Sequence, residues 1–194
     1  MNWRIPRPWG VVAVIVALAG WPTAGAAQSV IGSATAAQTT VLGSTTVLSD
    51  TGTLTGIDAL QASQVTGAVP SVLTAEALHA TTIGWPDQTA AEASLAGLQL
   101  TVAGYGVSAD FVMARAAASV GTGGGGDTSI DALSINGAPI TVTGQPNQVI
   151  PLLGGRVVIN EQHPMFPSGM AVNALHVVID GVADVVIASA AAGI

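Results

Sequence analysis

The chain has 194 residues, 49% of them hydrophobic and only 8% charged, with no cysteine and a formal net charge of −7. Its four basic residues are arginines, two of them (Arg4 and Arg7) at the extreme N-terminus, so the clustered Lys and Arg that grip nucleic acid or anionic lipid are missing. Without cysteine, a disulfide framework is excluded as well.

Residues 1–27 have a basic start, an apolar run from Val11 to Gly20 and a small-residue stretch, Ala24-Gly25-Ala26-Ala27. That order is the signature of a secretory signal peptide. The apolar run is far shorter than the ~20 residues of a membrane-spanning helix, and Pro22 follows it closely. Cleavage after Ala26 or Ala27 is expected, leaving residues 28–194 as one domain with no transmembrane segment. That domain keeps Arg115 and Arg156 against all eleven carboxylates. An exported chain of this size without cysteine, and without any lysine, fits a bacterial protein from a GC-rich genome.

Residues 28–70 are rich in Ser, Thr, Ala and Gly and contain a six-residue echo, Thr40-Val41-Leu42-Gly43-Ser44-Thr45 followed by Thr46-Val47-Leu48-Ser49-Asp50-Thr51. A hexapeptide β-helix needs at least three coils, and the third unit, Gly52 to Ile57, is already degraded. Two neighbouring strands of similar composition are the expectation. From Val72 to Ala96 helix formers such as Ala75-Glu76-Ala77-Leu78 compete with Thr81-Thr82-Ile83, around a turn at Trp85-Pro86-Asp87. This stretch is read as mostly strand.

From Leu98 the signal sharpens. Leu98, Leu100 and Val102 alternate with polar residues, as in a half-buried strand. After a turn at Gly104-Tyr105-Gly106, Val107 to Ala118 carries three consecutive apolar residues, Phe111, Val112 and Met113, which predicts a central strand covered on both faces. Gly121 to Gly126 reads as a loop. Ile130–Ile135 and Ala138–Thr143 flank Asn136-Gly137, a pair suited to a type I′ hairpin turn that sets Ile135 opposite Ala138 and Leu133 opposite Ile140. Pro146-Asn147 turns again. Strands at 149–152 and 156–160 flank Gly154-Gly155, Pro164 to Gly169 forms a longer loop, and strands at 171–179 and 185–189 surround Asp180-Gly181. Short strands with regular turns predict an all-β fold, an antiparallel β-sandwich. An outer-membrane barrel would need two aromatic girdles, and residues 28–194 offer only Trp85, Tyr105, Phe111 and Phe166.

Chemistry is sparse. Gly121 to Gly126 matches G-x-G-x-x-G but lacks a lysine and a following helix, so it is read as a flexible connection without a nucleotide. Asp127, Ser129 and Asp131 have the first three spacings of a calcium loop, yet Ala132 and Ala138 occupy the positions that need Gly and Glu. Whether calcium binds near Asp127 and Asp131 stays open at this point. His79, His163 and His176, with Glu161 two residues before His163, are the other candidates for catalysis or metal. Neither a Gly-x-Ser-x-Gly elbow nor a His-Glu-x-x-His helix accompanies them.

Several strings occur in a telling order: Ser108-Ala109-Asp110-Phe111-Val112-Met113-Ala114-Arg115-Ala116, Asn136-Gly137, Val142 to Gln148, Ile159-Asn160-Glu161-Gln162 and Val172 to Val177, preceded by Leu48 to Gly52 and Leu78 to Thr82. Together they resemble the choice-of-anchor P family of bacterial exported proteins. The resemblance implies a secreted, surface-displayed domain and brings no catalytic residues with it. It leaves Asn160-Glu161-Gln162 and Asn173 open to either a structural role or a shared ligand site. The C-terminal Ala190-Ala191-Ala192-Gly193-Ile194 carries no LPxTG-like motif, hydrophobic tail or basic stop, so a released or loosely surface-associated protein is expected.

The expected function is a non-catalytic structural or adhesive β-domain of the bacterial cell envelope or extracellular space, with no cofactor and with envelope glycans or surface proteins as partners. The alternatives are an exported hydrolase built on Glu161, His163 and His176, and a calcium-dependent adhesion module using Asp127 and Asp131.

Overall fold

The computed structural model describes residues 29–165 and 167–194. The signal-peptide reading of residues 1–27 and the side chain of Phe166 lie outside them. Among the described residues thirteen strands follow one another: β1 (Ile31–Val41), β2 (Ser44–Thr55), β3 (Ala59–Val69), β4 (Leu73–Gly84), β5 (Gln88–Val102), β6 (Tyr105–Ser119), β7 (Gly123–Asp131), β8 (Ser134–Ile135), β9 (Ala138–Pro139), β10 (Gln148–Leu152), β11 (Gly155–Pro164), β12 (Gly169–Ile179) and β13 (Ala183–Gly193). They form two packed antiparallel sheets. One has the order β10-β11-β12-β13-β1-β2; the other runs β3-β4-β5-β6-β8-β9, with β7 also pairing with β6. The architecture is the expected all-β sandwich.

The six-residue echo falls on the hairpin of β1 and β2, where Val41 pairs with Ser44. That antiparallel pairing rules out parallel β-helix coils for this segment. The ambiguous region is strand throughout, as β4 and β5 joined at Trp85–Asp87. Asn136 and Gly137 both have positive φ, 51° and 76°, and Ile135 pairs with Ala138, so the type I′ hairpin is present. It is shorter than expected, because Ala132, at φ 53°, breaks the run that the sequence suggested from Ile130 to Ile135.

The glycine stretch is a correction. Gly121 and Thr122 turn the chain, but Gly123–Gly126 is strand, the first half of β7. Two of its glycines, Gly124 and Gly126, answer to packing rather than to flexibility. A Cβ on Gly124 would collide with the backbone of Gly169, and one on Gly126 with Val172 and the Arg115 carbonyl. Bare backbone there lets β7 approach β12 of the opposite sheet. The core has the same character, with Ala34, Ala36, Ala93, Ala114, Ala174 and Ala190 at most 1% exposed beside Leu95, Leu98, Leu175 and Ile187.

A second feature organises both sheets. From Val172 onward the buried residues of β12 are Val172 and Ala174, then Leu175, Val177 and Ile179, so the inward face changes from even to odd positions in mid-strand. The inward face also changes parity at Ala36/Ala37 in β1 and, from odd to even, at Ala75/Leu78 in β4, Leu95/Leu98 in β5, Ala109/Val112 in β6 and Ile187/Ala188 in β13. Register resumes unchanged on either side in most pairs, and the skipped partners are contiguous: Asn160, Ala174, Ala188 and Ala36 across one sheet, Val65 with Ala77 and Gly97 with Asp110 across the other. Positive φ at Ser49, Ala77, Gly97, Asn160 and Ala188 supplies the kink. A one-residue slip normally sends every later side chain to the wrong face. Here neighbouring strands turn over together, so each half keeps its apolar side on the core. This also explains Phe111-Val112-Met113: Val112 points inward on the central strand β6, while half-buried Phe111 and nearly buried Met113 lie on the outer face.

Gly126→Ala is expected to destabilise the protein by about 1–3 kcal/mol through overpacking. Gly125→Ala, one residue away, is expected to be neutral or stabilising by up to ~1 kcal/mol, because its φ is ordinary and nothing lies within 4 Å of the added Cβ. Chemical denaturation of the two variants measures the contrast.

Candidate functional site

Glu161 and His163 stand two residues apart on β11, where alternation puts both on the outer face. Glu161 pairs across the ladder with Asn173 of β12. Asn173 and His176 are three residues apart, a spacing that in a regular strand would place them on opposite faces. The kink between Ala174 and Leu175 turns both of those residues inward and brings Asn173 and His176 out together.

Glu161 therefore sits among three polar neighbours. Asn173 Nδ2 donates to Glu161 Oε2 at 2.8 Å, His176 Nδ1 lies 2.9 Å from the same oxygen, and His163 Nε2 is 3.4 Å from Oε1. On its far side His176 Nε2 lies 3.1 Å from Asp184 Oδ1 of β13. The Glu161 and His176 side chains are 14% and 16% exposed, against 63% for His163 and 57% for Asp184. Burial pushes the Glu161 carboxyl upward, but the Asn173 hydrogen bond, the charge and hydrogen bond of His176 and the charge of His163 outweigh it. The net result is a carboxyl held below its usual range.

The three residues suspected from sequence thus converge, well inside the ~10 Å beyond which direct acid–base cooperation is untenable. His79 does not join them; it lies on β4 in the other sheet, paired with Ser63 and Ser94. Sequence reasoning missed Asp184, because nothing local marks an aspartate in Val182-Ala183-Asp184-Val185 as a histidine's partner before the β12–β13 register is known. Among the described residues the close polar partners of both clustered imidazoles are carboxylates, Glu161 and Asp184.

Asn160 and Gln162 serve the fold. Asn160, 3% exposed and at φ 52°, donates from Nδ2 to the Gly144 carbonyl, and its Oδ1 accepts from Gln162 Nε2 at 2.9 Å. Gln162 Nε2 also donates to the Gly126 carbonyl at 3.1 Å, and its backbone N–H donates to Asn147 Oδ1. Together they fasten the 144–147 turn and tie β11 to β7.

Asp127, Ser129 and Asp131 lie along β7, opposite Arg115, Met113 and Phe111. On an extended strand alternate residues stand ~7 Å apart in a line, so these three do not wrap around a cation as the calcium-loop spacing suggested. No group of three or more His, Asp or Glu with the spacing of a metal site occurs among the described residues.

The outer face of the second sheet holds a different arrangement. Thr81, Glu92, Arg115 and Asp127 form one row across β4, β5, β6 and β7, and Ile83, Ala90, Ala117 and Gly125 form the next. Arg115 Nε donates to Glu92 Oε2 at 2.6 Å, and the hydrogen bond and charge of Glu92 hold the guanidinium above its ordinary value. The small Ala90, Ala117 and Gly125 of the second row, beside Ile83, leave an open concavity of about 440 Å³ with an apolar floor next to this charged rim.

The fold and these two faces define an antiparallel β-sandwich with a carboxylate–imidazole cluster on one side and a shallow trough on the other. No family model, curated protein or solved structure matches the chain.

The depressed Glu161 carboxyl carries a pH signature. A carboxyl whose folded pKa lies below its unfolded one contributes stability above the ordinary glutamate value of 4.5, and that contribution is lost as pH falls through the folded value. The wild type is expected to melt above Glu161→Gln at pH 6, with the gap closing as pH falls well below 4.5. Melting temperatures across that range test it.

Proposed function

We propose that the chain is an exported, non-catalytic β-domain with a structural or adhesive role in a bacterial envelope or its surroundings. The observation that carries this reading is the trough on the second sheet, with its apolar floor of Ile83, Ala90, Ala117 and Gly125 and its rim of Glu92, Arg115 and Asp127. A shallow floor suits the apolar face of a saccharide ring, while the rim meets hydroxyl groups with charge-assisted hydrogen bonds. The ordered strings that resemble the choice-of-anchor P family, and the export signature at the N-terminus, support the same reading. Envelope glycans are the partners it favours, and surface proteins come second.

The hydrolase alternative is favoured by one observation, the convergence of Glu161, His163, His176 and Asp184. Against it stands the arrangement of that cluster, in which the imidazoles face carboxylates and no serine or threonine hydroxyl is hydrogen-bonded to either ring among the described residues. A base held by carboxylates but without a positioned nucleophile lacks the usual design of an acyl-transfer site.

The test is binding of the purified chain to isolated envelope polysaccharides, alongside hydrolysis assays on ester, peptide and glycoside substrates. Saturable polysaccharide binding, weakened about tenfold or more by Arg115→Ala or Gly125→Leu and untouched by Glu161→Gln, is the expected result. Turnover that disappears in Glu161→Gln and His176→Gln would replace the adhesive reading with the hydrolytic one.

A further inference from the structure

The ends of the sandwich are made of turns, and at one end three of them stand in line. The turns after β2, β4 and β6 are neighbours there: Gly84 N donates to the Asp58 carbonyl at 2.8 Å, and Val120 N donates to the Asp87 carbonyl at 2.9 Å. Each turn carries an apolar side chain out into solvent, with Ile57 69% exposed, Val120 46% and Trp85 36%. Pro86, beside Trp85, is exposed as well. Backbone hydrogen bonds hold these tips side by side, so the apolar surface belongs to the fold itself.

The same end receives the chain. Gly56 N donates to the Val30 carbonyl at 2.9 Å, which sets Val30 against the Ile57 turn. Only residues 21–29 separate Val30 from the apolar run Val11 to Gly20, a stretch of at most ~30 Å when fully extended. Whenever that run lies in a membrane, as the export signature implies, this end of the sandwich is the one turned toward the lipid. Trp85 is also the residue type that settles at headgroup level, because its ring is apolar and its indole N–H needs a polar partner.

We infer that the end carrying Ile57, Trp85 and Val120 is a membrane-docking surface, on which the folded domain rests against the headgroup layer of a zwitterionic lipid bilayer. The three tips come from separate turns and line up on one end, so they enter a soft layer together and need no matching cavity in a partner. Asp58 and Asp87 stand between them and remain in water while the apolar groups enter. No Lys or Arg occurs in the three turns, so nothing there draws the surface to anionic lipid. Three partly exposed side chains make a reversible contact, far short of the hold of a membrane-spanning helix. It outlasts removal of the N-terminal segment, because all three residues belong to the sandwich, and it gives the loose surface association expected from the sequence a physical basis.

The processed chain, residues 28–194, holds every described strand and a single tryptophan, Trp85, so its fluorescence reports on this end alone. On titration with phosphatidylcholine vesicles up to about 5 mM lipid, Trp85 emission is expected to move to shorter wavelength and to be quenched by acyl chains brominated near the headgroup. Ile57→Ser combined with Val120→Ser is expected to weaken binding about tenfold or more and to keep the wild-type melting temperature, since both side chains are exposed. Leu42→Ser combined with Leu153→Ser, which strips bare apolar side chains from the opposite end, is expected to bind as the wild type does. Emission that does not move at the highest lipid concentration overturns the inference. So does binding that falls as far in the Leu42 and Leu153 pair as in the Ile57 and Val120 pair, which would place the contact elsewhere.

Discussion

The whole architecture depends on where the strands turn over. β5 and β6 have fifteen residues each, long enough that a continuous alternation would carry the sheet's twist far from its partner. The line of kinks through Asn160, Ala174, Ala188 and Ala36, and its counterpart through Ala77, Gly97 and Asp110, divides these strands into halves that each face the core. Non-glycine residues at positive φ cost of order 1 kcal/mol each. The apolar halves gained on the core face offset that, since fully burying one Leu or Ile contributes roughly 1.5–3 kcal/mol.

Much of the fold was legible because turn chemistry is local. Asn136-Gly137, Trp85-Pro86-Asp87, Pro146-Asn147 and Asp180-Gly181 each marked a reversal from residue type alone, and alternation at Leu98-Leu100-Val102 gave the inward face directly. The kinks were not legible, because Ala77 and Ala188 carry no mark of a left-handed backbone; only their neighbours across the sheet show why they adopt it. The glycines of β7 misled for a related reason. Four in a row suggest a free loop, yet Gly124 and Gly126 are narrow because Gly169 and Val172 of the opposite sheet press against them, a contact that no local reading contains.

The same logic separates what was visible of the candidate site from what was not. Glu161 and His163 could be paired from their spacing on one strand. His176 could be brought to them only through two non-local facts, the β11–β12 register and the kink after Ala174, and Asp184 only through the next register beyond. The outcome is a tightly tied polar cluster on one outer face and a trough with an apolar floor on the other.

Because the chain has no cysteine, single thiols can report the facing of each residue without background. Cysteine placed in turn at Asn173, Ala174, Leu175 and His176, and probed with a water-soluble alkylating reagent on the folded protein, tests the kink directly. The predicted order is reactive, protected, protected, reactive. Strict alternation, with positions 173 and 175 reactive and 174 and 176 protected, would contradict the kink and with it the placement of His176 beside Glu161.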